Sequence, residues 1–298
     1  CYMMHNVATM SIVAFGTSEQ KEFYLPKIAS GELALALAFS ETGTGTHFYN
    51  PEINAIKTEN GYLLNGKKSF VTSAHHADYY FVLATNPQGE GLSVFATANN
   101  LAGMRHDDSA WDGLGMRGNG SVPVYYENVP VCDDDLIGAH GDGVGIVFNV
   151  VAPFFILGLA SVYTGLSLAA SGCAIEHATS RAYTDGSTLS QIETVQLHIA
   201  ALFSSASASK ALTLNAAQAA LEGRNDALAL IISARLEAST NAIEVCNRAM
   251  KVGGGHAYSK RLPLERYLRD AYAAAIMAPS TDVLSVWLGK ALSGQQIP

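Results

Sequence analysis

Apolar and polar positions change rhythm twice along the chain. Residues 1 to about 32 carry apolar side chains at helical spacing. Met3, Met4, Val7, Met10, Ile12, Val13 and Phe15 form a first group; Phe23, Leu25 and Ile28 form a short second helix, opened by Ser18 with Gln20 and Glu22 and ended by Gly31. From Leu33 to about Val131 the runs become short and β-like: Leu33 to Phe39, Tyr62 to Asn65, Tyr79 to Ala84, Leu92 to Ala96 and Val122 to Tyr126. Turn clusters separate them, namely Thr42-Gly43-Thr44-Gly45, Asn65-Gly66, Asn86-Pro87-Gln88-Gly89 and Arg117-Gly118-Asn119-Gly120. After Asp142 the pattern is helical and Ala-rich, with long segments near 143–183, 190–222 and 226–252, the last closed by Gly253-Gly254-Gly255 as a C-terminal cap. A further helix runs from Leu264 to Ala278, breaks at Pro279 and restarts by Val283 behind Ser280 or Thr281, either of which can cap it. The expected fold is α+β with three parts: N-terminal helices over 1–32, an antiparallel β-barrel or sandwich over 33–138, and an antiparallel helical bundle over 139–298.

Composition narrows the partners. The chain has 298 residues, half of them apolar, enough for a substantial core, and 18 basic against 26 acidic residues give a net charge of −8. That field repels phosphate backbones and anionic lipid, so neither nucleic acid nor a membrane surface is an expected partner. Val144 to Leu166 is long and uncharged enough to span a bilayer. It nevertheless holds Asn149, Pro153, Gly158, Ser161 and Thr164, lacks flanking Lys or Arg clusters and runs on past Glu176 and His177, which fits a helix at the centre of a bundle. Cys1, Cys132, Cys173 and Cys246 lack metal-site or redox-pair spacing and read as reduced thiols of a cytoplasmic protein, with no signal peptide visible.

Five segments carry candidate chemistry. Leu37-Ala38-Phe39-Ser40-Glu41-Thr42-Gly43-Thr44-Gly45-Thr46 joins a strand to a Gly-rich turn, where glycines let main-chain N–H groups approach an anion and hydroxyls add donors. Asn65-Gly66-Lys67-Lys68-Ser69-Phe70-Val71-Thr72-Ser73-Ala74 reads as an Asn-Gly hairpin followed by a strand with an aromatic, an aliphatic and a threonine. Arg181, followed by Tyr183, Gly186, Leu189 and Gln196, offers a guanidinium fork suited to phosphate. Met250-Lys251-Val252-Gly253-Gly254 and Pro263-Leu264-Glu265-Arg266-Tyr267-Leu268-Arg269-Asp270-Ala271 complete the set.

In content and order these five segments resemble those of the acyl-CoA dehydrogenase family across nearly the whole chain. The resemblance implies an oligomeric flavoprotein, a homodimer or homotetramer, that binds FAD and no metal and oxidises a small acyl thioester, an acyl-CoA, with an electron-transfer or reductase partner. It would place the backbone at Phe39 and the Ser40 hydroxyl at the flavin pyrimidine edge, and Gly45 and Thr46 at the pyrophosphate. Phe70, Val71 and Thr72 would lie against the isoalloxazine, the threonine near N5 and O4. Arg181 would reach the diphosphate of a neighbouring subunit's FAD, Met250 with Gly253 and Gly254 would lie near the adenosine, and Ser280 would join the cofactor contacts. Departures are one extra residue before Gly186, Glu193 where the family usually has an FAD-contacting glutamine, and Met250 in place of a polar residue.

The family's Tyr-Glu-Gly triplet, whose glutamate removes the substrate α-proton, corresponds here to Met277-Ala278-Pro279, and Ala278 cannot accept a proton. The alternative position in some relatives, on the first bundle helix, falls in Ala152-Pro153-Phe154-Phe155-Ile156-Leu157-Gly158, which holds no acid and none of the CoA-contacting Asp or Arg of several relatives. Asp282, His75, His76, His47 and His256 are substitute candidates; the commoner roles of such residues are a first-turn helix acid and surface or loop histidines. Three readings stay open. One is an FAD-dependent oxidoreductase with a non-standard base, the second a flavin-dependent monooxygenase of the same fold, and the third a non-catalytic subunit paired with an active paralogue.

Overall fold

The structure is a computed structural model that describes residues 1–86 and 91–297; the turn expected at Asn86-Pro87-Gln88-Gly89 lies outside the described residues from Pro87 onward. The chain packs as two compact units, one of Cys1–Gly113 with Arg117–Phe155, the other of Leu114–Met116 with Ile156–Pro298.

The first unit opens with α1 (Tyr2–Phe15) and α2 (Ser18–Ala29). A stripe of Val7, Ala8, Ser11 and Ile12 buries one face of α1, and His5 Nδ1 accepts the Leu35 N–H at 3.0 Å, so the helix packs on the sheet. Thr17, one residue earlier than Ser18, caps α2 by a reciprocal capping box with Gln20 (3.2 and 3.0 Å). The Gln20 amide also donates to the carbonyls of Asp134 and Leu136.

Eight strands follow: β1 (Leu35–Ala38), β2 (Asn54–Thr58), β3 (Gly61–Val71), β4 (Tyr79–Thr85), β5 (Leu92–Ala98), β6 (Met104–His106), β7 (Val122–Val131) and β8 (Leu136–Ile137). They form one sheet in the order β6-β7-β3-β2-β4-β5-β8, with β1 added on β4. Most neighbours are antiparallel, but β1 and β2 both run parallel to β4, so the sheet is mixed rather than purely antiparallel. Tyr80 to Ala84 on β4 are all buried, which is why that strand reads as a continuous apolar run. The core gathers Ile53, Leu64, Val71, Tyr80, Val82, Phe95, Val124 and Tyr126.

Asn65-Gly66 is not a hairpin turn. The turn between β2 and β3 is Glu59-Asn60, and Asn65 and Gly66 continue inside β3 opposite a bulge on β7 at Glu127-Asn128, where Asn65 Oδ1 accepts the Asn128 N–H at 2.9 Å. Glycine is required at 66 because a Cβ there would stand 2.9 Å from Ile53 Cγ1, on a backbone with φ of 147°.

The second unit is a helical bundle built from α4 (Ala152–Ser180), α5 (Glu193–Leu221), α6 (Ala227–Tyr258), α7 (Leu264–Ile276) and α8 (Thr281–Leu292). α3 (Gly143–Ile146) and a π-turn over Val147–Val151 lead into α4. The whole Gly143–Ser180 helix is long and apolar enough to cross a membrane, with half of its most apolar window buried. Within the bundle its Leu159, Ala160, Tyr163, Ser167, Ala170 and Ala174 are buried at helical spacing. Thr164 bonds Thr213 and Ser171 bonds the Leu202 carbonyl, a descending register that makes α4 and α5 antiparallel. α6 sits between α5, α7 and α8. It meets α5 through Asn241, whose amide donates to Ser209 Oγ at 2.8 Å. Gly253-Gly254-Gly255 does not cap α6: the helix kinks at Gly254 (φ 51°, ψ −133°) and resumes to Tyr258. α7 stops at Ile276, two residues short of Ala278, and Ser280 is the residue that caps α8, its hydroxyl accepting the Val283 N–H at 3.4 Å.

Candidate functional site

In the first unit, the two predicted segments lie side by side. Phe39 is buried directly after β1; Ser40 is half-buried, and its carbonyl accepts the Ser69 N–H at 2.8 Å. Thr42 Oγ1 meets Ser69 Oγ at 2.9 Å, and the turn then exposes Gly45 (φ 54°) with half-buried Thr46 beside it. On β3 the pairing with β7 slips between Lys68 and Val71, so that Ser69 and Phe70 together face Pro123. Such a bulge re-aims side chains. Phe70 takes φ of 50°, a conformation costly for a bulky residue, and its ring is 63% exposed, edge-on to Trp111 at 6.0 Å. Val71 is buried, Thr72 is buried with its hydroxyl 3.2 Å from Ser121 Oγ, and Ser73 is again left-handed at φ 61°. Two strained residues thus flank the segment singled out by sequence, and the aromatic faces solvent.

What aligns these two segments is a buried ion pair that sequence reasoning missed. Lys68 and Glu41 have side chains 0% and 1% exposed, with Nζ 2.5 Å from Glu41 Oε1. Nζ also donates to the carbonyls of Leu83 at 2.6 Å and Phe39 at 3.4 Å. Glu41 accepts the Glu52 and Ile53 backbone N–H groups at 2.6 and 3.2 Å. Burial pushes the Lys68 ammonium down to about 8, against the upward pull of Glu41.

Near Thr72, His106 Nε2 lies 2.7 Å from the Tyr80 hydroxyl, which donates to the Ala74 carbonyl, and the exposed His75 ring stands 5.5 Å from His106. Burial, then the charge of His75, holds the His106 imidazole below its usual range. His76 is exposed, and His47, also exposed, bonds Tyr49 Oη at 2.8 Å.

In the second unit, Arg181 is the first residue beyond α4. Its backbone is fixed by bonds with His177 O and Leu189 N, while its side chain is exposed and lies 5.5 Å from the Tyr183 ring. Glu193 is an exposed first-turn acid of α5, and Met250 is half-buried on α6. The paired glycines differ: a Cβ at Gly253 would collide with Ala257 and Leu264, whereas Gly254 and Gly255 have nothing within 4 Å. The open backbone is therefore Gly254-Gly255. Arg269 pairs with Glu265 at 2.8 Å and donates to the Leu114 carbonyl, and Asp270 accepts the Met116 N–H at 2.7 Å, so both hold a loop.

Three family models match the chain in sequence order: the N-terminal domain of acyl-CoA dehydrogenase over residues 1–32, its middle domain over 36–129 and its C-terminal domain over 157–292. An acyl-CoA dehydrogenase of Bacillus subtilis (strain 168) is 30% identical over 295 residues, 97% of this chain and 76% of the relative. The chain belongs to the acyl-CoA dehydrogenase family. Among solved structures, butyryl-CoA dehydrogenase from Megasphaera elsdenii matches with a TM-score of 0.89 at 26% identity, covering 96% of this chain and 75% of that one. PigA with FAD and proline matches with a TM-score of 0.89 at 25% identity, covering 98% and 76%. Acyl-CoA dehydrogenases are flavin-dependent oxidoreductases acting on CH–CH groups, and the residues present are compatible with a flavin: an exposed aromatic on a bulged strand, an open glycine turn and an arginine that enters no ion pair among the described residues.

The break between α7 and α8, where the resemblance puts the expected base, holds no acid. Met277, Ala278 and Ser280 are half-buried and Pro279 buried; Asp282 is exposed in the first turn of α8. Among the described residues no group of three or more His, Cys, Asp and Glu side chains could hold a metal ion.

Proposed function

We propose that the chain binds FAD non-covalently and takes an acyl thioester as substrate, without a carboxylate positioned to remove the α-proton. The bulge at Ser69-Phe70 carries the reading: the protein keeps an aromatic in a left-handed conformation and exposed to solvent, a cost understandable where a planar ring system covers it. FAD, when bound, supplies a two-electron acceptor for a hydride from the substrate β-carbon. Phe70 would cover one face of the ring, Thr72 would share its hydroxyl between Ser121 and the flavin edge, and Ser40 would add a donor at the pyrimidine side. Gly45 and Thr46 would hold the pyrophosphate; Arg181, with Glu193, Met250, Gly253 and Gly254, would serve the diphosphate and adenosine of a neighbouring subunit's FAD. Ala278 leaves the α-proton without an acceptor, and Asp282 lies exposed in the first turn of α8.

The test is an absorbance spectrum of the purified chain with added FAD, followed by bleaching with a panel of acyl-CoAs. A preparation that never takes up FAD refutes the reading. A second reading, monooxygenation at reduced flavin, is favoured by the His75-His106-Tyr80 chain beside Thr72; oxygen uptake by the chemically reduced protein tests it. A homodimer or homotetramer is expected from the likeness of the Arg181 and Gly253-Gly254 segments to elements that complete a neighbouring subunit's site, and light scattering measures it. A hetero-oligomer with a paralogue would point instead to a supporting subunit.

A further inference from the structure

At the C-terminal end of α4 three groups able to carry positive charge converge. His177 is 7% exposed, and its buried Nε2 has no hydrogen-bond partner. Its ring stands 5.2 Å, centroid to centroid, from that of His256 at an interplanar angle of 50°. Arg181 lies one helical turn beyond and enters none of the ion pairs of the described residues. His256 follows the Gly254 kink by two residues, beside the open backbone of Gly254 and Gly255.

Burial first, then His256 and then Arg181, hold the His177 imidazole below its usual range. Among the described residues the charged groups acting on it are His256 from the end of α6 and Arg181 beyond its own helix, and the adjacent Glu176 is exposed. A buried nitrogen without a partner costs about 1–3 kcal/mol. Like charges gathered without a counter-charge cost more as they protonate, unless a ligand supplies the opposite charge.

We propose that His177 and His256 complete, with Arg181, an anion site for a diphosphate group, and that occupation of this site is coupled to proton uptake by the histidine pair. The inference rests on the reading of Arg181 as a contact of a neighbouring subunit's FAD diphosphate and extends that contact to two further residues of this chain. In the free protein burial and its cationic neighbours favour the neutral form of His177. A dianion between the rings and the guanidinium stabilises imidazolium, so the bound state holds more protons than the free state. By linkage the affinity then rises as pH falls, by at most about tenfold per pH unit for each proton taken up.

The test uses the full chain, freed of any flavin. FAD binding is followed by fluorescence quenching from pH 5.5 to 8.5, and inorganic pyrophosphate is titrated separately, read as a shift in the thermal midpoint. We expect FAD to bind roughly tenfold more tightly at pH 6 than at pH 8, and pyrophosphate to stabilise more at pH 6. His177→Phe keeps a ring in the same space and removes the orphan nitrogen, so it should fold at least as well; it and His256→Gln should flatten both pH dependences. Arg181→Ala should weaken both ligands at every pH while keeping the slope. A pH-independent affinity in the unsubstituted protein, or a slope that survives both histidine substitutions, overturns the inference and leaves the FAD reading standing. A proton-linked response to pyrophosphate without FAD binding at any pH refutes the FAD reading and leaves the anion site. Absence of both responses refutes both.

Discussion

Replacing Lys68 by methionine tests what holds the candidate flavin strand in place. The substitution keeps most of the aliphatic volume and removes one charge of a pair that is entirely buried. Breaking a buried ion pair on one side costs about 3–5 kcal/mol, because the remaining charge stays desolvated. Here Glu41 retains the Glu52 and Ile53 N–H groups at 2.6 and 3.2 Å, which offset part of that cost, while the Leu83 carbonyl loses the 2.6 Å donor. A loss of about 3 kcal/mol is expected. With a urea slope of roughly 2 kcal/mol/M, the midpoint falls by about 1.5 M. Trp111 packs on the core of the first unit and Trp287 is buried in the second. Urea titrations in a Trp287→Phe background therefore report on the unit that contains Lys68. In Glu41→Gln/Lys68→Met no charge is left buried and the amide oxygen still accepts a backbone N–H, so the double variant should recover at least about 1.5 kcal/mol relative to Lys68→Met. A Lys68→Met midpoint within 0.5 M (roughly 1 kcal/mol at that slope) of the parent, or a double variant no better than the single, would refute the argument.

Phe70→Gly should relieve a backbone strain of about 1–3 kcal/mol at little cost in burial, raising the thermal midpoint of the flavin-free chain while weakening FAD binding at least about tenfold; a midpoint that falls contradicts the strain assignment. Straight-chain acyl-CoAs should reduce the flavin of the unsubstituted chain very slowly in rapid mixing, and Ala278→Glu should raise the rate, since general-base catalysis contributes about 10²–10⁴-fold. Rapid reduction without that glutamate, unaffected by changes at Asp282, His75 and His76, would show that the base lies elsewhere. Burial, and then Asp270, push the Cys246 thiol up to about 12. The folded state keeps a proton that the unfolded chain loses near pH 9, so this contribution to stability is complete below pH 9 and disappears as pH rises toward 12. The unfolding free energy from urea titrations should fall on that limb by at most about 1.4 kcal/mol per pH unit from this group, and less steeply in Cys246→Ala.

The elements legible in the sequence are those whose pattern is local. β4 is a run of buried apolar residues, α5 and α6 are long and periodic, and Ser280 caps α8. β2, β6 and β8 were not legible: Asn54–Thr58 and Met104–His106 carry mostly polar, exposed side chains and exist because neighbouring strands pair with them. The two halves of the candidate site were readable as motifs, but their alignment was not. A lysine beside another lysine on a strand suggests two solvated charges, and only the alternation from Leu64 through Gly66 places Lys68 inward. His177 reads as a polar residue near a helix end; its pairing with His256 depends on a backbone kink at Gly254 that resembles a helix stop in one dimension.

The bulge on β3 also has an arithmetic consequence. Side chains on an unbroken strand alternate, so two residues an odd number of positions apart point to opposite faces. Lys68 and Val71 are three apart, yet both are buried, at 0% and 1% exposure, because Ser69 and Phe70 share one place in the ladder. Deleting either residue would leave Lys68 and Val71 two apart and still on one face, so burying the pair does not need the extra residue; what would be lost is the bulge that turns the ring at 70 to solvent. The local chain length therefore sets where the exposed aromatic points rather than what the core buries, and a Lys68–Thr72 segment shortened by one residue should keep the ion pair while losing the outward-facing ring.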